Sequence, residues 1–316
     1  MGRVVRSACV VFLLVTGAAS SAFALDAFWQ GRRGPAWDDG IDPNSGLSNW
    51  YSKPPLQGTA RTIPKGTATF ADGAREYDLQ IRRGRDIDKM VIRPSSKRYT
   101  FRIRKYLNVQ GAGIHNQSPT PPLITVLGEE TVPGGAYLAF RNAARLTSSG
   151  NWPSALIRIK PRGSVTLDGT SNGGRAEIVN ESGSIDFNGD SSAGQMKITN
   201  IARPDFPNDA IIRFYDRSTG ANARFFNRKG GLLDFSSRTG PAGDGFSAGL
   251  IDSNGLLDVG AVALRVNDSL TLGADGALSL DRFGEDEQGS IHVKNDARLG
   301  GGIVTTGFST RVGRTR

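Results

Sequence analysis

The amino-acid sequence predicts an all-β fold, a parallel β-helix behind a strand-rich N-terminal cap. Three observations carry that expectation. A unit of Gly, any residue, apolar, polar, apolar recurs through the second half of the chain. A second unit precedes several of its copies at a near-constant offset. No amphipathic run at helical spacing of comparable length stands out. The expected organisation is a signal peptide over 1–24, a basic cap with the first strands over 25–105, β-helix repeats over 106–300 and a C-terminal tail over 301–316.

The first segment has a basic start (Arg3, Arg6), an apolar run from Ala8 to Val15 and a small-residue end at Ala22, Phe23 and Ala24. That is the pattern of an export signal cut after Ala24. The run is far short of the ~20 apolar residues of a membrane-spanning helix, so the mature chain is expected to hold no transmembrane segment. Arg3 and Arg6 are not adjacent, which favours the general secretion route over the twin-arginine route. Cleavage removes Cys9, the single Cys of the 316 residues. The expected destination is the periplasm, the cell surface or the extracellular space.

Residues 25–105 open with turn formers and hold Trp29, Trp37 and Trp50, three of the four Trp. Those rings suit stacking on sugars, and equally the covering of the open first coil that a solenoid requires. Short strands follow. Tyr77, Leu79 and Ile81 alternate with Asp78, Gln80 and Arg82, and Tyr99, Phe101 and Ile103 alternate with Thr100, Arg102 and Arg104. Both are period-two patterns of half-buried strands.

The same stretch concentrates charge. Between Arg82 and Lys105 stand ten basic residues against Asp86 and Asp88, whereas the whole chain carries a net +9. The rest of the mature chain is thus close to neutral. Arg93, Lys97, Arg98, Arg102, Arg104 and Lys105 are the candidate contacts for a polyanion such as acidic surface polysaccharide or lipopolysaccharide, attracted over about a Debye length. Export argues against genomic DNA. A solvated outer face that keeps strand edges from pairing is the alternative for the same charges.

The repeat region follows. The first unit reads Gly163-Ser-Val-Thr-Leu167, Gly183-Ser-Ile-Asp-Phe187, Gly231-Leu-Leu-Asp-Phe235, Gly255-Leu-Leu-Asp-Val259 and Gly276-Ala-Leu-Ser-Leu280, with Ala210-Ile-Ile-Arg-Phe214 as a variant without Gly. The steps are 20, 27, 21, 24 and 21 residues. The second unit reads Ala176-Glu-Ile-Val-Asn180, Met196-Lys-Ile-Thr-Asn200, Ala223-Arg-Phe-Phe-Asn227 and Ala248-Gly-Leu-Ile-Asp252. Ser171, Ser191 and Ser218 each lie five residues before the Ala or Met that opens it. Periods of 20 to 50 residues denote units that bury their apolar faces only by stacking on neighbours. With short strands and no room for a helix, the unit becomes one coil of a β-helix, its equivalents ~4.8 Å apart. The predicted apolar ladder is Leu167, Phe187, Phe214, Phe235, Val259 and Leu280. The predicted corner ladder is Asn180, Asn200, Asn227 and Asp252.

Asn49-Trp50, Thr67-Ala-Thr-Phe70, Tyr99-Thr-Phe101, the Gly111-Ala-Gly-Ile114 turn with Asn116 and Ser118, and the repeated Ser, Gly, Ala, apolar, Asn blocks resemble the passenger regions of bacterial autotransporters. The resemblance covers roughly residues 45 to 280. It implies a right-handed β-helix displayed on or released from a Gram-negative cell surface, often acting in adhesion. Such proteins end in a membrane β-barrel, which needs at least eight strands of ~10 residues. Only 36 residues follow Leu280. The expectation is a stand-alone or truncated passenger.

For chemistry the sequence implies no catalytic, cofactor or metal site. One Cys and two separated His cannot build a Cys or His metal cage. His115 and His292 stand apart from any nucleophile motif, and a general base needs a positioned partner. The outward position of the first unit reads Thr166, Asp186, Arg213, Asp234, Asp258 and Ser279. Arg213 between two Asp makes a charge ladder. The competing reading is a pectate-lyase-like polysaccharide lyase or hydrolase, with Asp residues holding calcium and Arg abstracting a proton, although calcium wants six to eight oxygen ligands. Gly240-Pro-Ala-Gly-Asp-Gly245 lacks the Lys and Ser or Thr of a phosphate loop and reads as a corner loop. The expected function is non-enzymatic surface or matrix binding.

Overall fold

The computed structural model describes residues 26–39, 41–53, 57–61, 63–128, 135–205, 209–239, 246–280, 282–283, 287–300 and 303–305. The export signal expected over 1–24 and the corner loop expected over 240–245 lie outside them. The described residues contain strands and no helix. Nearly all strand pairs beyond the cap are parallel, and they form one 15-stranded and one 10-stranded sheet on two faces of a solenoid. Each coil gives one strand to each sheet. Ser164–Leu167, Ser184–Phe187, Ile211–Phe214 and Leu232–Asp234 succeed one another in the first sheet; Glu177–Glu181, Lys197–Ile201, Arg224–Asn227 and Leu250–Ser253 do so in the second.

Because successive strand side chains point to opposite faces, parallel stacking in register puts like residues in columns. Leu167 pairs with Phe187 and Phe187 with Phe214. Phe214 and Phe235 follow with ring centroids 5.1 Å apart. All are fully buried, and Phe225 and Phe246 pack their edges on Phe214. Each such ring contributes about 1.5–3 kcal/mol by leaving water. The end of the predicted column shifts. A bulge sets Leu280 opposite Gly260 rather than Val259, and Leu280 is only half-buried.

The corner column holds for Asn180, Asn200 and Asn227, which pair in register and are fully buried. Asn180 Nδ2 donates to Asn200 Oδ1 at 2.8 Å, and Asn200 Nδ2 to Asn227 Oδ1 at 2.9 Å. The amides satisfy one another and the corner carbonyls, as buried polar groups must. Asp252 does not join them. Ser253 takes the next place, accepting from Asn227 Nδ2 at 3.1 Å, while Asp252 sits opposite Phe226 and points outward to Arg228 at 3.2 Å. Gly249 adds one residue to that unit and moves the register by one, which exchanges the faces. At Gly183 a Cβ would come 2.4 Å from the Gly163 carbonyl, which explains why the first unit opens on Gly where coils turn tightly.

A third face completes each coil. The long strands Arg85–Ile92 and Tyr106–Asn116 bend from the first sheet onto it, and Arg145–Ser148 pairs there with Gly113–Asn116. In the next coils that face shrinks to single bridging residues, Asn172, Ser192 and Thr219. It widens again at Phe246–Ala248, Ala263–Val266 and Ser290–Val293. Ser171, Ser191 and Ser218, the third phased element of the sequence, are buried one residue before the bridges.

The cap closes the first coil. Ala27–Trp29 pairs antiparallel with Trp50–Lys53, which pairs with Gln57–Arg61. Trp29 and Trp37 pack on Trp50 with centroids 5.1 and 5.0 Å apart. All three are buried and so cannot stack on a sugar. The first parallel strands, Thr67–Phe70 and Asp78–Ile81, already fall within 25–105. Of the 301–316 tail, Ile303–Thr305 adds a parallel strand beside Ala277–Leu280.

Candidate functional site

Where the third face narrows, the solenoid surface is cut back between Arg145–Ser148 on one side and Phe246–Ala248 on the other. The result is an open groove of about 420 Å³ running across four coils. Its shape follows from the turns. In three successive coils the bridging residue caps a tight turn: Asn172 Oδ1, Ser192 Oγ and Thr219 Oγ1 accept from the amides of Gly174, Gly194 and Ala221 at 2.8, 3.0 and 3.1 Å. These residues lie at φ of 56°, 64° and 49°. The left-handed turn reverses the chain in so few residues that no third-face strand fits. A Cβ on Gly174 would meet the Leu146 carbonyl at 1.7 Å, so glycine is required at the step between wide and narrow coils.

One wall of the groove is a polar row. Arg175 reaches Asn151 Oδ1 with Nη1 at 2.9 Å and Gln195 Oε1 with Nε at 3.0 Å. Asn222 follows one coil on, with its Oδ1 taken by Asn267 at 3.2 Å. Trp152, the Trp outside the cap, packs on Gly150 at the rim. The described lining contains no Asp or Glu, and Arg175 is its charged residue.

The six basic candidates spread around one coil. Arg93 leaves the strand Arg85–Ile92 and lies 5.3 Å from the Phe28 ring; Lys97 lies 5.4 Å from the Tyr77 ring, with Arg98 exposed beside it. Arg102 stands mid-strand on the outward face of the second sheet, paired to Asp78 at 2.7 Å. Arg104 follows on the same face and Lys105 on the next corner. The register sets Arg102 opposite Gln80 and Thr125, so Arg104 continues the row of Arg82. Two coils beyond, Arg158 pairs in register with Thr125, extending the column of Arg102. The structure thus brings Arg102 and Arg104 together with Arg82 and Arg158, and leaves Arg93, Lys97 and Arg98 on the preceding corner. Arg158 lies over 50 positions from Arg102 in sequence. Its signal is coil periodicity, not local charge density.

No family model, no curated protein and no solved structure matches the chain. Its function must therefore be argued from its own side chains.

The outward row of the first sheet forms in register as Thr166, Asp186, Arg213, Asp234, Asp258 and Ser279. Arg213 Nε lies 3.9 Å from Asp234 Oδ2. The carboxylates also serve their own strands: Asp234 accepts from the Ser236 amide at 2.8 Å and hydroxyl at 2.6 Å, and Asp258 from the Gly260 amide at 3.2 Å. Burial pushes the Asp186 carboxyl above its ordinary value, with Arg213 pulling the other way. Among the described residues no three His, Cys, Asp or Glu gather as a metal site.

His115 lies between two hydroxyls of the next coil, Thr147 Oγ1 at 2.9 Å from Nδ1 and Ser149 Oγ at 3.3 Å from Nε2. His292 is exposed opposite Arg265 on the same third face. The neighbours of His115, more than 30 residues away in sequence, become visible only once the coils are stacked. The groove escaped sequence reasoning too. Its signature, a polar residue two places before Gly174, Gly194 and Ala221, is spaced like the repeat and could have revealed it.

Proposed function

We propose that the protein is an exported, non-enzymatic β-helix similar to autotransporter passengers, which binds a surface or matrix polyanion such as acidic polysaccharide or lipopolysaccharide in an adhesive role. Its winding takes the right hand that parallel crossovers adopt. The observation that carries the reading is the outward face of the second sheet, where Arg82 on one coil, Arg102 and Arg104 on the next, and Arg158 two coils further on, past Thr125, share one face. Rungs ~4.8 Å apart give a polymer with repeated negative charge repeated partners. Within this row Arg102 keeps one carboxylate partner, Asp78 at 2.7 Å; on other parts of the surface Arg217 pairs with Asp190 at 2.7 Å, Arg228 with Asp252 at 3.2 Å and Lys229 with Asp275 at 3.2 Å. No helix of the described residues is long and apolar enough to cross a membrane.

Retention on heparin-like and lipopolysaccharide resins over a salt gradient tests this. The expected result is elution at raised salt, moving to lower salt when Arg102, Arg104 and Lys105 are replaced by Gln. Unchanged elution of that triple variant would show that this face is not the binding surface.

A further inference from the structure

We infer that the groove on the third face is a second binding site, distinct from the basic face, and that it takes an extended acidic oligosaccharide lying along the solenoid axis. The argument begins with what its floor leaves free. Most of the backbone donors there are used internally: besides the three capped turns, the amides of Gly173, Ala193 and Asn222 go to the carbonyls of Ser192, Thr219 and Gly194 at 2.9 Å each. A peptide strand would find few backbone partners on that floor. The side chains leave more groups open, the Asn172 and Asn222 amide nitrogens, the Ser192 hydroxyl and the remaining N–H groups of Arg175. Amides, hydroxyls and guanidinium are the donors and acceptors that recognise a polyhydroxylated ligand.

Spacing supports the same ligand class. Arg175, Gln195 and Asn222 occupy equivalent places, two residues before the paired positions Glu177, Lys197 and Arg224. Their rungs repeat at ~4.8 Å, so four coils offer a track of about 14 Å, the scale of a short run of sugar rings. Charge then selects among sugars. Arg175 is held in place by two neutral amide oxygens, with no carboxylate within ion-pair distance among the described residues, and the lining adds no acid. A pre-oriented guanidinium without a counter-ion favours a carboxylate-bearing sugar, which it can engage with two parallel N–H groups.

The test is calorimetric titration of the full chain with hexameric oligogalacturonate and with cellohexaose as the neutral control. The inference expects the acidic hexamer to bind, the neutral one to bind at least ten-fold more weakly, and the Arg175→Ala, Gln195→Ala double variant to lose at least ten-fold for the acidic hexamer. Both positions are exposed, and a circular dichroism melt checks that the variant stays folded. The Gln triple variant at 102, 104 and 105 separates the two sites. If it keeps hexamer affinity, binding belongs to the groove. If it abolishes affinity while the groove variant keeps it, the groove inference falls and the basic-face reading stands. Absence of binding, or equal affinity for both hexamers, would also overturn it.

Discussion

Phe187 and Phe214 stack with parallel rings across one coil step, with ring centroids 4.4 Å apart and an interplanar angle of 1°. Isolated aromatic pairs choose between parallel-offset and edge-on contacts. Here the parallel register fixes both Cα positions and dictates the stack.

Phe214 also touches Phe225, Phe235 and Phe246, so it joins both sheets and the third face. Phe214→Ala is expected to cost about 3–5 kcal/mol, and Phe214→Leu less than half of that. Because coils contact only their neighbours, hydrogen exchange should show the loss concentrated near residues 185–235. A loss spread evenly along the chain would contradict the stacked-coil account.

Asn200 gives its amide to Asn227 Oδ1 and to the Ala210 carbonyl, each at 2.9 Å, and accepts from Asn180. Asn200→Ala strands several of these buried groups, with about 1–3 kcal/mol expected for each one left unsatisfied. Asn200→Asp should be worse, since a carboxylate would face the Asn227 and Ala210 oxygens without a cation. Thermal melts of the two variants measure the order.

Two glycines of similar backbone angle separate strain from collision. Gly46 lies at φ 65° with open space around its missing side chain, so Gly46→Ala carries only the left-handed cost of about 1–2 kcal/mol. Gly174 lies at φ 56° against the Leu146 carbonyl. Gly174→Ala should cost clearly more in urea denaturation, and equal values would count against the tight step in the groove.

Asp186 carries a pH signature. Burial raises its folded-state carboxyl above 3.8, so the folded chain holds that proton more tightly than the unfolded chain. Stability from this group is therefore fully present below the unfolded value and declines as pH rises through the folded one. Asp186→Asn should stabilise at pH 7, with the gain disappearing by about pH 3. Denaturant midpoints at the two pH values check the sign; a variant no more stable at pH 7 than at pH 3, relative to the parent, would contradict it.

Export gives the last expectation. Expressed in a Gram-negative host, the chain should be recovered outside the cytoplasm with Leu25 as its first residue, read by N-terminal sequencing. Recovery of the intact leader in the cytoplasm would remove the exported reading.

What the sequence disclosed and what it hid divide along one physical line. Columns built from strand interiors were legible, because period-two alternation and coil length together fix who stands above whom: Phe187 over Phe214, Asn180 over Asn200, Asp186 over Arg213. One inserted residue defeated that logic at Gly249, moving Ser253 into the place expected for Asp252. Features made by differences between coils stayed hidden. The groove exists because the coils bridged at Asn172, Ser192 and Thr219 are narrower than their neighbours, and Arg158 joins the column of Arg102, with Thr125 between them, through stacking rather than proximity in sequence.

The Asn200–Asn227 rung has a consequence for how such a chain can change over time. Two residues connect Glu181 to Ser184, whereas nine connect Ile201 to Ile211, and both connections join strands in unbroken register. Length added at that corner is absorbed without disturbing the rungs above or below. The corner is a natural port where lineages can gain or shed surface lobes, and where an engineer could splice in a foreign epitope.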